Sequence, residues 1–127
     1  MQKVIFILLL FVSCTNKISL SPYPGEIKVF VSKDPTEAIK YLNKIKSDSF
    51  FLEDFENTEG MTIGTESGEP IVIWLSSMDP GLISHEAFHA TTSIMKYAGI
   101  PLSDSSEEAY AYEQQYIVNS IIKLTKW

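Results

Sequence analysis

The chain has no arginine, one cysteine and two histidines in 127 residues. Each scarcity closes off a class of chemistry. Without arginine all 10 basic residues are lysines, they form no run, and 16 acidic residues outweigh them to a net charge of −6, which disfavours a nucleic-acid surface. A lone cysteine, Cys14, forms no internal disulfide. Two imidazoles are too few for an all-histidine catalytic metal site, which takes about three protein ligands. The longest apolar run, the nine residues Val4 to Val12, is too short to span a bilayer as a helix. No internal repeat or low-complexity segment appears, and glycine and proline stand at an ordinary 6 each. What remains, at 45% hydrophobic content, is enough for one packed domain with no second lobe.

The first residues differ from the rest. Met1-Gln2-Lys3 gives a short positive start, the apolar run follows, and Ser13, a small residue, precedes Cys14. This arrangement resembles a bacterial lipoprotein signal, with Phe11 where that family usually has leucine. The resemblance implies removal of residues 1–13, lipidation of Cys14, and export to a membrane-anchored place in the bacterial envelope. Residues 14–25, with two prolines and several serines or threonines, then read as a tether to a domain at 26–127. The alternative is a buried or interfacial segment with Cys14 a plain thiol.

Within the domain, Glu26 to Val31 alternates and is rich in β-formers, which predicts a strand. Asp34-Pro35-Thr36-Glu37 has the form of a capping box and predicts a helix from Pro35 to about Lys46. Phe50 to Glu59 mixes aromatic and acidic residues and reads as a loop or short helical turn. Met61 to Thr65 and Pro70 to Ser76 form a predicted hairpin around Glu66-Ser67-Gly68-Glu69. Asp79-Pro80-Gly81 opens a helix that Gly99 ends and Pro101 keeps from resuming. A last helix over about 105–123 has caps available in Ser103-Asp104-Ser105-Ser106.

The chemistry concentrates in His85-Glu86-Ala87-Phe88-His89. Residues four apart share a helix face, so both imidazoles can aim a ring nitrogen at one Zn²⁺. Glu86 is rotated by about 100°, beside the metal, where a general base takes a proton from water. Both histidines of the chain fall at these positions. Ile83, Ala87, Ala90 and Ile94 keep helical spacing for packing, with the alanines allowing a close helix approach, and Phe88 and Met95 read as core. The third ligand must be a carboxylate or Cys14. Asp104, Glu107, Glu108 and Glu113 lie downstream, and Glu108, early in the last helix, is best placed. An N-cap at Ser105 draws Glu108 into a capping box, whereas a cap at Asp104 draws in Glu107, which makes Glu107 the alternative ligand.

The helix pair resembles the gluzincin clan of zinc metallopeptidases and small metallopeptidase-like proteins of phage and bacteria. There an HExxH helix precedes a helix carrying Glu-x-x-small-Asp, which Glu108 and Ala111 match over residues 70–120. Tyr112 stands where many members have aspartate. One turn after Glu108, its hydroxyl can either hydrogen-bond a ligand histidine or polarise the scissile carbonyl. The strand-like runs near 26–31, 61–65 and 70–76 and the helices at about 35–46, 80–98 and 105–123 predict an α+β fold, and the resemblance makes it a small sheet packed against a zincin-like helix pair. The resemblance implies Zn²⁺ on His85, His89 and Glu108, and a peptide or protein substrate. Glu86 is expected to act as the general base, and Tyr112 either as a second catalytic group or as a tyrosine packed between the two helices. An extended peptide is expected to pair with the strand Pro70 to Ser76. Without arginine there is no guanidinium clamp for a terminal carboxylate, which favours an endopeptidase. The alternatives are a non-catalytic zinc-binding protein and a membrane-tethered binding lipoprotein with a decayed site.

Overall fold

The computed structural model describes residues 16–20, 23 and 25–124. The signal peptide expected at 1–13 and the lipidation expected at Cys14 lie outside the described residues. Strands span Asn16–Ser19 (β1), Glu26–Val31 (β2), Gly60–Ile63 (β3) and Ile71–Leu75 (β4). Helices span Thr36–Ile45 (α1), Pro80–Tyr97 (α2) and Glu107–Leu124 (α3), and Leu52–Phe55 makes a single 3-10 turn. The class is α+β, as the sequence predicts. The four strands make a mixed sheet in the order β1-β2-β4-β3, with β2 and β4 parallel and the outer pairs antiparallel.

The sheet carries helices on both faces. Alternation in β4 sends Val72 and Trp74 to one side, where they pack with Ala38 and Leu42 of α1 and with Phe55. Ile71, Ile73 and Leu75 go to the other side, among Ile83, Ala87, Ala90 and Ile94 of α2 and Ile117 and Ile121 of α3. A strand covered on both faces must be apolar at every position, which is why β4 does not alternate in sequence.

Two expectations are corrected here. Residues 16–20 belong to the sheet rather than to a tether: Ile18 and Leu20 are buried, Lys17 and Ser19 are exposed, and Lys17 bridges to Glu26 at 2.6 Å. The segment is short and its prolines follow the strand, so polar composition hid a period of two. The strand expected to receive a peptide, Pro70 to Ser76, contains β4, which has β2 and β3 on its two sides. Among the described residues, the open edge beside α2 is that of β3.

Helix ends follow local chemistry. Asp79 caps α2 by accepting from the Leu82 N–H at 2.9 Å, and Pro80 takes the first turn. At the other end Gly99 adopts φ 76°, and the N–H of Ile100 donates to Met95 O at 2.9 Å, closing the last turn. Asp34 accepts from the backbone N–H and hydroxyl of Thr36, while Glu37 pairs with Lys40 at 3.4 Å, so the expected capping box does not form at α1. None of the described helices is long and apolar enough to cross a membrane.

Candidate metal centre

The site lies along α2 where the helix passes the edge strand β3. Gly60 permits that approach: a Cβ there would stand 2.8 Å from Leu82 Cδ1 and 3.0 Å from Glu86 Cγ. Two residues on, the Thr62 hydroxyl donates to Glu86 Oε2 at 2.6 Å, and further along the Thr65 N–H donates to Ser93 Oγ at 2.9 Å. β3 and α2 are therefore fastened at two levels around the Glu86 carboxylate.

His85 and His89 are both exposed on the outer side of α2, with their Nε2 atoms 3.2 Å apart. Two nitrogens bound to one tetrahedral zinc at about 2.0–2.1 Å would stand about 3.3–3.4 Å apart. The spacing accepts a shared metal with little adjustment, and it equally allows one imidazole N–H to donate to the other ring. Glu86 is 4% exposed, and its Oε1 lies 4.0 Å from His85 Nε2, beside the imidazole pair rather than between the two rings. Three of the residues singled out by sequence, His85, Glu86 and His89, are thus brought together.

The residues expected from α3 are not gathered with them. Glu107 and Glu108 are exposed in the first turn of α3, and Tyr112 is 67% exposed. The cap also differs from expectation. Ser106 directly precedes the helix, its carbonyl accepting from Tyr110 N–H at 3.1 Å, so neither Glu107 nor Glu108 occupies the third helical position of a capping box. Among the described residues no group of three or more His, Cys, Asp or Glu is placed to hold a metal ion.

Helix geometry explains why. Gln114 of α3 donates to the hydroxyl and carbonyl of Ser84, each at 3.3 Å, and the Tyr110 hydroxyl donates to Ile100 O at 2.6 Å, so α3 runs antiparallel along one flank of α2. At about 100° per residue, Ser84 lies about 100° around the axis from His85 and about 140° from His89. The imidazoles sit nearer the opposite flank, next to Glu86 and β3.

Two further residues depart from the sequence reading. Phe88, expected in the core, is 46% exposed, its ring centroid 6.4 Å from that of His89, because position 88 falls outside the stripe of Ile83, Ala87, Ala90 and Ile94. Met95 is buried as expected. Glu113 is buried with Tyr110, Ile117 and Ile121, and its Oε1 has no hydrogen-bond partner among the described residues. Burial pushes its carboxyl above the usual carboxylate range. Thr62 was missed by sequence reasoning; a threonine in a short strand carries no signal of its own, and only the α2 register reveals its partner. Compared with protein-family models, with curated proteins and with solved structures, the chain matches none of them.

Proposed function

We propose that this protein is a zinc-dependent peptidase of the gluzincin type, with His85 and His89 holding the metal and Glu86 acting as general base. The observation that carries the reading is the pair of Nε2 atoms 3.2 Å apart beside a buried glutamate. Held by His85 and His89, zinc would lower the pKa of a water and polarise a carbonyl. Glu86 takes the proton at Oε1, 4.0 Å from His85 Nε2, while Oε2 stays fixed by Thr62. The same carboxyl then delivers the proton to the leaving amine. A carboxylate would have to complete the ligand set.

The edge of β3, open among the described residues, runs beside these groups and suits an extended peptide by strand addition, in an orientation that lays the scissile carbonyl along α2. Lipidation of Cys14 would hold the domain at a membrane of the bacterial envelope.

A non-catalytic reading, zinc or ligand binding by a decayed site, has one observation in its favour: α3 leaves Glu107, Glu108 and Tyr112 solvent-facing. The test is metal analysis of the purified chain followed by assay of wild type and Glu86→Gln on varied peptides. Peptidase activity lost in Glu86→Gln with zinc retained supports the enzyme. Equal inertness of both proteins, each loaded with zinc, sinks it. Tyr112→Phe addresses the second catalytic group, since loss of kcat at unchanged zinc affinity marks carbonyl polarisation and weakened zinc binding marks support of a histidine.

A further inference from the structure

Resting on the peptidase reading, we infer that Lys46 is a specificity-determining residue: it caps the β3 edge at Gly64 and so limits main-chain pairing with a substrate to Gly60 and Thr62. The register of the sheet fixes which groups of β3 look outwards. In an antiparallel pair, hydrogen-bonded and non-bonded positions alternate. The Ser76 N–H donates to Glu59 O at 2.8 Å, which makes the pair one step before Gly60–Leu75 a bonded one. By alternation Met61–Trp74 and Ile63–Val72 are bonded as well, while Gly60 and Thr62 stand opposite Leu75 and Ile73 without bonding them. β4 agrees, because Leu75 O accepts instead from the Ser32 N–H, at 3.0 Å, on the β2 side. The N–H and C=O of Gly60 and of Thr62 therefore point to the outer edge, where no strand lies beside them among the described residues. Both residues face α2, Thr62 reaching Glu86 and Gly60 lying against Leu82, so a substrate residue paired with either puts its side chain on the α2 side of the sheet.

The next carbonyl in the outward series, that of Gly64, is already taken. Lys46 Nζ donates to it at 2.6 Å and to Glu69 Oε1 at 2.7 Å. Lys46 is the residue that ends α1, and its side chain is only 10% exposed. Its ammonium thus occupies the place from which a third residue of an added strand would donate. Neither partner is loose. Glu69 also accepts from the N–H groups of Glu66 and Ser67, and Gly64 lies so close to Ser93 that a Cβ would find no room. A lysine set against a strand edge stops further pairing there.

A cavity of about 720 Å³ opens around this stop, and Lys46, Gly64, Thr92, Ser93 and Lys96 are among its lining residues. A substrate running past Thr62 leaves the ladder and enters this polar space. Main-chain pairing is indifferent to sequence, so the two-residue edge selects for an extended backbone, and substrate length beyond it adds no rungs.

The test uses the full zinc-loaded chain and a peptide that it cleaves, taken from a mixture of random decapeptides. Each amide of that peptide other than the scissile one is N-methylated in turn, which removes one donor. The kcat/KM is then measured for wild type and for the double variant Lys46→Met/Glu69→Gln, which frees the Gly64 carbonyl without stranding the Glu69 charge. In either strand direction, the peptide N–H groups meet the outward carbonyls at every second residue. Wild type is expected to lose about 3–10-fold at two positions, two residues apart, and the double variant to show a third sensitive position continuing that series. Any other count in wild type, or an unchanged pair in a folded double variant, overturns the inference while leaving the peptidase reading intact. Should the double variant not fold, the wild-type count decides. A zinc-loaded wild type that cleaves nothing in the mixture overturns the peptidase reading and this inference with it.

Discussion

The Thr62 hydroxyl lies 2.6 Å from Glu86 Oε2, so an edge-strand side chain positions the carboxylate that the proposed chemistry depends on. Glu86 is 4% exposed, and a buried carboxylate oxygen deprived of its donor is costly by about 1–3 kcal/mol. Thr62→Val is therefore expected to lower unfolding free energy by about that amount. It should also cut kcat for peptide hydrolysis with zinc affinity unchanged, and Thr62→Ser should restore both. If Thr62→Val lowers stability but leaves kcat alone, Thr62 has only a packing role.

Gly60 sets how closely β3 can lie on α2. A Cβ added there would stand 2.8 Å from Leu82 Cδ1 and 3.0 Å from Glu86 Cγ, two overpacked contacts, one of them against the proposed base. Gly60→Ala should destabilise the fold by about 1–3 kcal/mol, measured by urea unfolding, and lengthen the Thr62–Glu86 hydrogen bond in a crystal structure. Leu82→Ala in the same chain should recover part of the stability by making room.

Glu113 carries a pH dependence of known sign. Burial raises its carboxyl above the ordinary value, so the folded state binds its proton more tightly than the unfolded chain does. Its contribution is most favourable below the unfolded glutamate value, about 4.3, and is lost as pH climbs through the raised folded value. Glu113→Leu should accordingly be more stable than wild type at pH about 7, with the advantage shrinking towards pH about 4. Unfolding curves at both pH values check this. A Glu113→Leu chain less stable than wild type at neutral pH would show that the carboxylate has a favourable partner when folded.

Periodicity, caps and turns lie within a few residues of one another, and sequence reads them well. β2, α2 and the hairpin of β3 and β4 all announce themselves through such signals, and the HEAFH spacing places both imidazoles and Glu86 on α2 before any fold is known. What the chain does not announce is which flank of α2 each neighbour takes. That choice rests on Gln114 meeting Ser84 and on Gly60 meeting Leu82, pairs separated by many residues. Glu108 looks well placed because the spacing to His89 is suitable, yet spacing carries no information about rotation around the axis. β1 was hidden for a related reason: four residues beginning with Asn16-Lys17 show their alternation only once β2 stands beside them.

The far end of the β3–α2 groove gives a last prediction, independent of metal. Lys46 Nζ donates to Glu69 Oε1 at 2.7 Å and to the Gly64 carbonyl at 2.6 Å, pinning the β3–β4 turn to the end of α1, and both charged side chains are largely buried. The Lys46 ammonium, helped by the N–H groups of Glu66 and Ser67, holds the Glu69 carboxyl down at about 2. A depressed folded value means stability that is present above the unfolded glutamate pKa of about 4.3 and drains away as pH falls towards 2. Glu69→Gln should therefore cost about 1–3 kcal/mol at pH about 7 and progressively less in acid, with little difference left near pH 2. Lys46→Met should cost more than Glu69→Gln at neutral pH, because it strands a buried carboxylate and a backbone carbonyl together. Hydrogen exchange at Thr65 and Ser67 should quicken in both variants, while exchange at His85 and Glu86, at the other end of the groove, stays as in wild type. Quickened exchange at Glu86 would mean instead that the turn and the site open as one unit.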